Sequence, residues 1–415
     1  MAIPSVCDVL PPSTLTVEQA QERILTAIQP ITQTETVLLE HALGRVLAQT
    51  ITAPFNVPPH RNSAMDGYAL HSSSLTAGLN QLTVIGRSLA GHPFQGDVGQ
   101  GECVRITTGA VVPEGADTIL IQEEVKRFED RIEYFGRIKP NKHIRHPGED
   151  LAQGSEVLQQ GRVLNAADMG LIASLGLGHI TVWRKPKVAI ISTGDELRPI
   201  GSPLGEGQIH DSNRYTLRAL LQRLGVEVID FGIVADEPST LEQAFTTAAQ
   251  QADVLITTGG VSVGEADYIT QLLGQLGRIN FWKIAMKPGK PLAFGQVGTC
   301  SFFGLPGNPV STMATFLIFV RPALLKLGHY PVRSVIEYRA KCLTSLKKAS
   351  GRQDYQRGVC HQDEQGQWWV KSTGVQESHV LRSMSRANCF MVLAKDWGDV
   401  AEGTEIPIIP FEGLF

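Results

Sequence analysis

Three carboxylates and two lysines stand out by where they fall in the chain. Glu196 in STGDEL, Asp236 in ADEP and Asp267 in TTGGVSVGEAD each follow an apolar run, and Lys283 and Lys287 flank the start of MKPGKP. Carboxylates alone repel a phosphate. Carboxylates mixed with lysines suit a phosphate bridged by Mg2+, because oxygens from both sides share the cation. The run DVLITTGG, from Asp253, ends an apolar strand in Gly259 and Gly260. Glycine lets backbone N–H groups come close to a ligand, and a helix N-terminus behind them favours an anion. One such turn, or one such acid, reads as ordinary capping. Five polar turns at the same sheet edge, GLPGNPVS (Gly304 to Ser311) being the last, point to a ligand crevice.

Other chemistries lack their signatures. No G-x-x-x-x-G-K-[ST] is present, no G-x-G-x-x-G follows the first strand, and no H-E-x-x-H occurs among the 11 histidines. Ser192, Ser262 and Ser311 lie in no G-x-S-x-G elbow, so acyl transfer is a poor expectation. Three further stretches are unusually polar: PPHRNSAMDGYAL with Asn62, Ser63 and Asp66, RITTGAVVPEGAD with Thr107, Thr108 and Gly109, and IRHPGED with Arg145 and Asp150. Their ordinary readings are turn formers and an interdomain ion pair.

The elements that must hold these residues follow from periodicity. From Lys187 apolar strands (KVAIIS, EVIDFGIV, DVLIT, INFWKIA) alternate with helical patterns (NRYTLRALLQRLG, STLEQAFTTAAQQ, DYITQLLGQLG and a long helix after GLPGNP). Strands apolar throughout are buried on both faces, which predicts a parallel or mixed doubly wound sheet over 185–330. Short β segments between Leu82 and Ile138 predict a β-rich insertion over 58–139, and β character after Tyr330 predicts a barrel or sandwich over 331–415. Thr16 to Ile28 reads as a helix with capping-box spacing, TVLLEHALG as a short helix stopped by Gly44, and NAADMGLIASLG as a helix capped by Asn165. These helices predict a helical connecting domain from 1–57 and 140–184. The fold class expected is therefore multidomain α/β.

Bulk properties narrow the partners. A length of 415 residues exceeds one core, and a net charge of -4 gives no reason to expect nucleic acid. The start MAIPSVCDVLPPSTLTVEQ has no signal-peptide character, and no run of about eighteen apolar residues predicts a membrane span. Six scattered cysteines without C-x-x-C fit a reducing cytoplasm rather than zinc or disulfides.

Taken in order, NSAMDGYA, RITTGAVVPEGAD, IRHPGED, STGDEL, DSN, TTGGVSVGEADY, MKPGKP and GLPGNPVS closely resemble molybdopterin molybdenumtransferase, the family that includes the E domain of gephyrin. The match runs along nearly the whole chain. It implies insertion of molybdate into adenylylated molybdopterin with release of AMP, Mg2+ as cofactor, and a homodimer with a shared active site. It also implies a partner adenylyltransferase that supplies the substrate. The residues implied are Asp66, Glu196, Asp236 and Asp267 for catalysis, the last three as metal ligands. For substrate they are Thr108, Arg145, Asp150, Gly259, Gly260, Ser262, Lys283, Lys287, Lys290, Pro306, Pro309, Ser311, Arg357 and Ser378, with Arg352 and Ser383 as neighbouring candidates for the last two. Two other readings are a molybdopterin adenylyltransferase, whose fold matches only the doubly wound part, and a gephyrin-like scaffold without chemistry.

Overall fold

The computed structural model describes residues 14–76, 80–259, 275–332 and 335–414. The described residues up to Thr34, with those from Trp183 onward, form one compact unit, and Glu35–Val182 form a second.

In the first unit, helix α1 (Val17–Ala27) starts as its sequence predicts. Thr16 Oγ1 accepts the Gln19 amide at 3.2 Å while Gln19 Oε1 accepts the Thr16 amide at 3.0 Å, satisfying two end groups at once. Its buried residues Val17, Ala20 and Ile24 recur at helical spacing on one face. That face joins a core with Phe316, Val320 and Leu324. The helix therefore packs with the first unit rather than with the helix capped by Asn165.

The central sheet contains β1 (Lys187–Thr193), β2 (Glu227–Val234), β3 (Val254–Thr258), β4 (Gly277–Lys283), β5 (Pro291–Val297) and β6 (Cys300–Leu305), in the order β2-β1-β3-β6-β5-β4. The first four in that order are parallel, and β5 runs antiparallel to both neighbours. Two reversals cancel, so β4 ends at the same edge as β1, β3 and β6. Side chains alternate between faces. Val188, Ile190, Val254 and Ile256 meet α1, α2 (Ser212–Arg223) and the long helix, whereas Ala189, Ile191 and Leu255 meet α3 (Pro238–Gln251) through Leu241 and Phe245. Burial on both faces explains the continuous apolar runs.

Helix α4 spans Pro309–Leu327 with one π turn at Phe316–Val320. Contrary to the sequence expectation, it is long and apolar enough by length and composition to cross a membrane. Here it is the core helix of the sheet, burying Val310, Ala314, Phe316, Phe319 and Val320.

Beyond it, β7 (Tyr338–Cys342), β8 (Gln353–Gln362), β9 (Trp368–Ser372), β10 (Cys389–Leu393) and β11 (Glu405–Pro410) run in the order β8-β9-β7-β11-β10, and β10 pairs back onto β8. The five strands close a barrel, which removes the exposed edges an open sheet would carry. Where the chain leaves and re-enters this unit, Arg184 forms a clasp. Its backbone N–H donates to Gln33 O at 3.2 Å, and its guanidinium takes both oxygens of Asp253 at 2.7 Å.

The second unit carries a six-stranded sheet, ordered Thr118–Ile121, Gly67–Leu70, Glu102–Ile106, Gln81–Ser88, Arg131–Glu133 and Lys126–Phe128. Segments 35–57 and 140–182 hold one α-helix, Ala166–Ser174, amid short paired strands. Asn165 caps it and Gly176, at φ 71°, follows its end, as expected. TVLLEHALG is not a helix. Its first half belongs to the strand Thr34–Leu38, paired with His179–Trp183, and only a single 3-10 turn follows at Leu39–His41. Strand pairing overrides the local helical pattern there.

Candidate active site

The parallel strands end level. Thr193 of β1 lies opposite Val234 of β2, Ser192 opposite Thr258 of β3, and Thr258 opposite Leu305 of β6. Sheet order then fixes the order of chemistry along the carboxyl edge. Asp236 follows β2, Glu196 follows β1, Gly259 follows β3 and Pro306 follows β6, while Lys290 precedes β5 and Lys283 ends β4. Carboxylates stand at one end and lysines at the other. Glu196 and Asp236 are exposed; Lys283, Lys287 and Lys290 are half-buried.

The segment between β6 and α4 joins the two ends. Pro306 O accepts Thr312 Oγ1 at 2.5 Å, and Gly307 O accepts Asn213 Nδ2 at 2.6 Å. Pro309 occupies the first turn of α4, where its missing N–H costs nothing. The next amide, of Val310, donates to Ser378 O at 3.1 Å, and Ser311 is buried in the same turn. Gly259 has a steric reason to be glycine: at φ 90° a Cβ would stand 2.4 Å from Thr193 O. The sequence reading expected the Gly259 amide to face a ligand; instead its N–H donates to Leu305 O at 3.3 Å and serves strand-end packing.

Arg357 lies on β8 and is 0% exposed. Its Nε donates to Ser383 Oγ at 3.0 Å and Nη2 to Glu377 O at 3.1 Å, while Nη1 has no partner among the described residues. Burial pushes the guanidinium down to about 10, with Asp354 and Glu377 pulling the other way. Leaving a charged donor buried and unpaired is costly, and an oxyanion is the group that would complete it. The sequence missed Asp354, which lies opposite Lys287 in register and whose carboxyl is pushed up by burial. It also missed Thr193, Asp211 and Asn213, although DSN was in the motif series. Arg352 sends its carbonyl to Lys348 Nζ, and Ser383 is the serine that Arg357 engages.

The second unit assembles a separate set. Ser63 and Asn62 pair with Ile144 and Arg145, and Gly109 N donates to Ser63 O at 2.8 Å. These bonds bring Asp66, Thr108 and Arg145 onto neighbouring loops, while Asp150 lies farther along, its N–H on Val57 O at 3.0 Å. Asp66 Oδ1 accepts the Thr108 amide at 2.7 Å and its hydroxyl at 2.9 Å. The amide, then the hydroxyl, then Arg105 hold this carboxyl below its usual 3.8. A depressed carboxyl contributes stability above the unfolded value and loses it as pH falls through the folded one. Thr108→Val is therefore expected to raise the Asp66 pKa in an NMR titration and to leave the loop less ordered just below pH 3.8. An unchanged titration would mean the hydroxyl does not hold the carboxylate.

Asp267, Gly260 and Ser262 lie outside the described residues. Among the described residues no cluster of three His, Cys, Asp or Glu side chains could hold a metal. Two neighbouring strand-end carboxylates still fit Mg2+, which usually keeps several waters and takes only one or two carboxylates beside a phosphate.

Three family models match the chain: the MoeA N-terminal region (domain I and II) over residues 15–176, a probable molybdopterin binding domain over 189–326, and the MoeA C-terminal region (domain IV) over 339–411. A molybdopterin molybdenumtransferase of Haemophilus influenzae is 46% identical over 402 residues, covering 96% of this chain and 99% of the relative. One from Nostoc is 34% identical over 386 residues, 91% of this chain and 88% of the relative. A solved structure of the MoeA protein of Pyrococcus horikoshii matches with a TM-score of 0.82 at 29% identity, over 96% of this chain and 100% of the other.

Proposed function

The chain belongs to the MoeA family of molybdopterin molybdenumtransferases and acts in molybdenum cofactor biosynthesis; within that role we propose that it inserts molybdate into adenylylated molybdopterin and releases AMP. The observation that carries the reading is the polarised sheet edge with buried Arg357 and its unpaired Nη1 beyond the lysine end. Molybdate, as substrate, is the oxyanion that Arg357, Lys287, Lys290, Ser311 and Ser378 would hold. Lys283 faces the phosphates, and Pro306 and Pro309 keep the connecting loop rigid. At the other end Glu196 and Asp236, joined by Asp267, would hold Mg2+, which supplies charge neutralisation to the phosphoanhydride when bound.

The direct test supplies purified chain with adenylylated molybdopterin, Mg2+ and graded molybdate, and follows AMP. Release that rises with molybdate supports the reading. Adenylylation of molybdopterin from ATP would instead favour the adenylyltransferase, and neither activity would favour a scaffold. The five described cysteines are free and buried, which supports a reducing cytoplasm.

Assembly forms part of the same proposal. The division proposed is a discontinuous connecting domain, an insertion (58–139), the molybdopterin-binding domain (185–330) and the barrel (331–415). The connecting domain, read from the sequence as 1–57 and 140–184, is limited to 35–57 and 140–182 because α1 and Trp183 belong to the first unit. A homodimer would bring Asp66, Thr108, Arg145 and Asp150 of one chain to the sheet edge of its partner. Chains carrying Asp66→Ala and Asp236→Ala, each inactive alone, should then complement when refolded together. Random pairing makes half the dimers mixed, each with one intact site of two, so about a quarter of normal activity should return. Mixed dimers without activity would end the shared-site model.

A further inference from the structure

Three polar atoms at the sheet edge have no partner among the described residues: Thr193 Oγ1, Asp211 Oδ2 and Asn213 Oδ1. Thr193 is 3% exposed and Asp211 2%. They belong to one place. Thr193 Oγ1 lies 3.3 Å from the Cβ position of Gly259, Gly307 adjoins Gly259, and Gly307 O receives the Asn213 amide. Asp211, two residues before Asn213, caps α2 with its other oxygen, accepting Arg214 N at 3.1 Å. The Asn213 amide cannot be reversed, because its NH2 must face the Gly307 carbonyl, so the unpaired atom is the oxygen.

A carboxylate oxygen and an amide oxygen can only accept, and the threonine hydroxyl can accept beside them, the inverse of the lysine end. Phosphate and molybdate are repelled there. What fits is a ligand edge carrying adjacent N–H donors, since a buried acceptor left unmade is costly. We propose that Thr193, Asp211 and Asn213 take the donor edge of the substrate's pterin, its ring N3–H and 2-amino group. This rests on the reading that a pterin nucleotide lies along the edge. It orients the substrate, pterin toward α2 and anionic groups toward the lysines. The adenine of the nucleotide offers a single amino donor and matches the group less well.

The test is a fluorescence titration of the full chain with pterin-6-carboxylate, with its 2-oxo analogue lumazine-6-carboxylate, and with AMP. The wild-type chain should prefer the pterin by about 10-fold to 100-fold, the range expected when a buried hydrogen-bond partner is removed. Thr193→Val should lose about tenfold of pterin affinity, Thr193→Ser should restore it, and AMP binding should not move. Equal affinity for pterin and lumazine, or no pterin binding, overturns the assignment. Loss of AMP affinity in Thr193→Val does so too, by giving the edge to the nucleotide, and pterin binding that needs Mg2+ only when Thr193 is intact gives it to a cation. Absence of molybdate-dependent AMP release from the wild-type chain is a separate failure, and it strikes the function on which this rests.

Discussion

Arg357→Met is expected to raise the molybdate concentration that half-saturates the reaction about a hundredfold, while adenylylated molybdopterin still binds. A charge-assisted hydrogen bond is worth about 1.5–3 kcal/mol, and 2.7 kcal/mol is a factor of about 100. The side chain is wholly buried, with Nε and Nη2 committed to Ser383 and Glu377, so Nη1 and the charge are what remain for a ligand. Molybdate should also raise the melting temperature of the wild-type chain and leave the variant's unchanged, because only a ligand bound by the folded state stabilises it. Arg357→Lys keeps the charge and loses the planar fork, and it should recover only part of the affinity. If methionine leaves half-saturation and the molybdate-induced melting shift intact, the oxyanion lies elsewhere.

The opposite end of the edge should fail in the opposite way. Glu196→Gln combined with Asp236→Asn keeps both shapes and removes both charges. The two residues are exposed, so stability should stay within about 0.5 kcal/mol. AMP release should fall at least about 100-fold, the scale of losing electrostatic stabilisation at a charged reaction centre. The molybdate half-saturation should stay where it was, since Arg357 and the lysines are untouched. Raising Mg2+ should restore part of the rate. Near-normal turnover at ordinary Mg2+ would take both acids out of the chemistry.

The strand ends were legible because apolar runs stop abruptly in Gly, Asp and Thr, and because Thr16 and Gln19 cap α1 with a local pattern. PLAFGQVGTCSFFGL between two motif-bearing loops forms the antiparallel pair β5 and β6, and the two-residue turn at Gly298, φ 60°, is its local mark. The sequence reading passed over that signal and so missed the reversal that carries Lys290 to the edge. Other features depend on distant partners. Arg357 sits inside YQRG as an ordinary strand residue; only barrel closure reveals that it is buried with one nitrogen unpaired. Gly259 shows the reverse. Its type was read correctly as special, but the reason is the Thr193 carbonyl 2.4 Å from where a Cβ would be.

The clasp of Arg184 on Gln33 and Asp253 changes what the excursion between residues 35 and 182 means for the rest of the chain. Its two ends are tied together, so the remainder of the molecule experiences it as one closed loop. The entropy of closing such a loop grows only logarithmically with its length, and doubling it costs about 0.6 kcal/mol. Changes of length in the excursion therefore carry little thermodynamic cost for the sheet that bears Glu196 and Lys283. What constrains the module is instead the set of loops that holds Asp66, Thr108 and Arg145 in place.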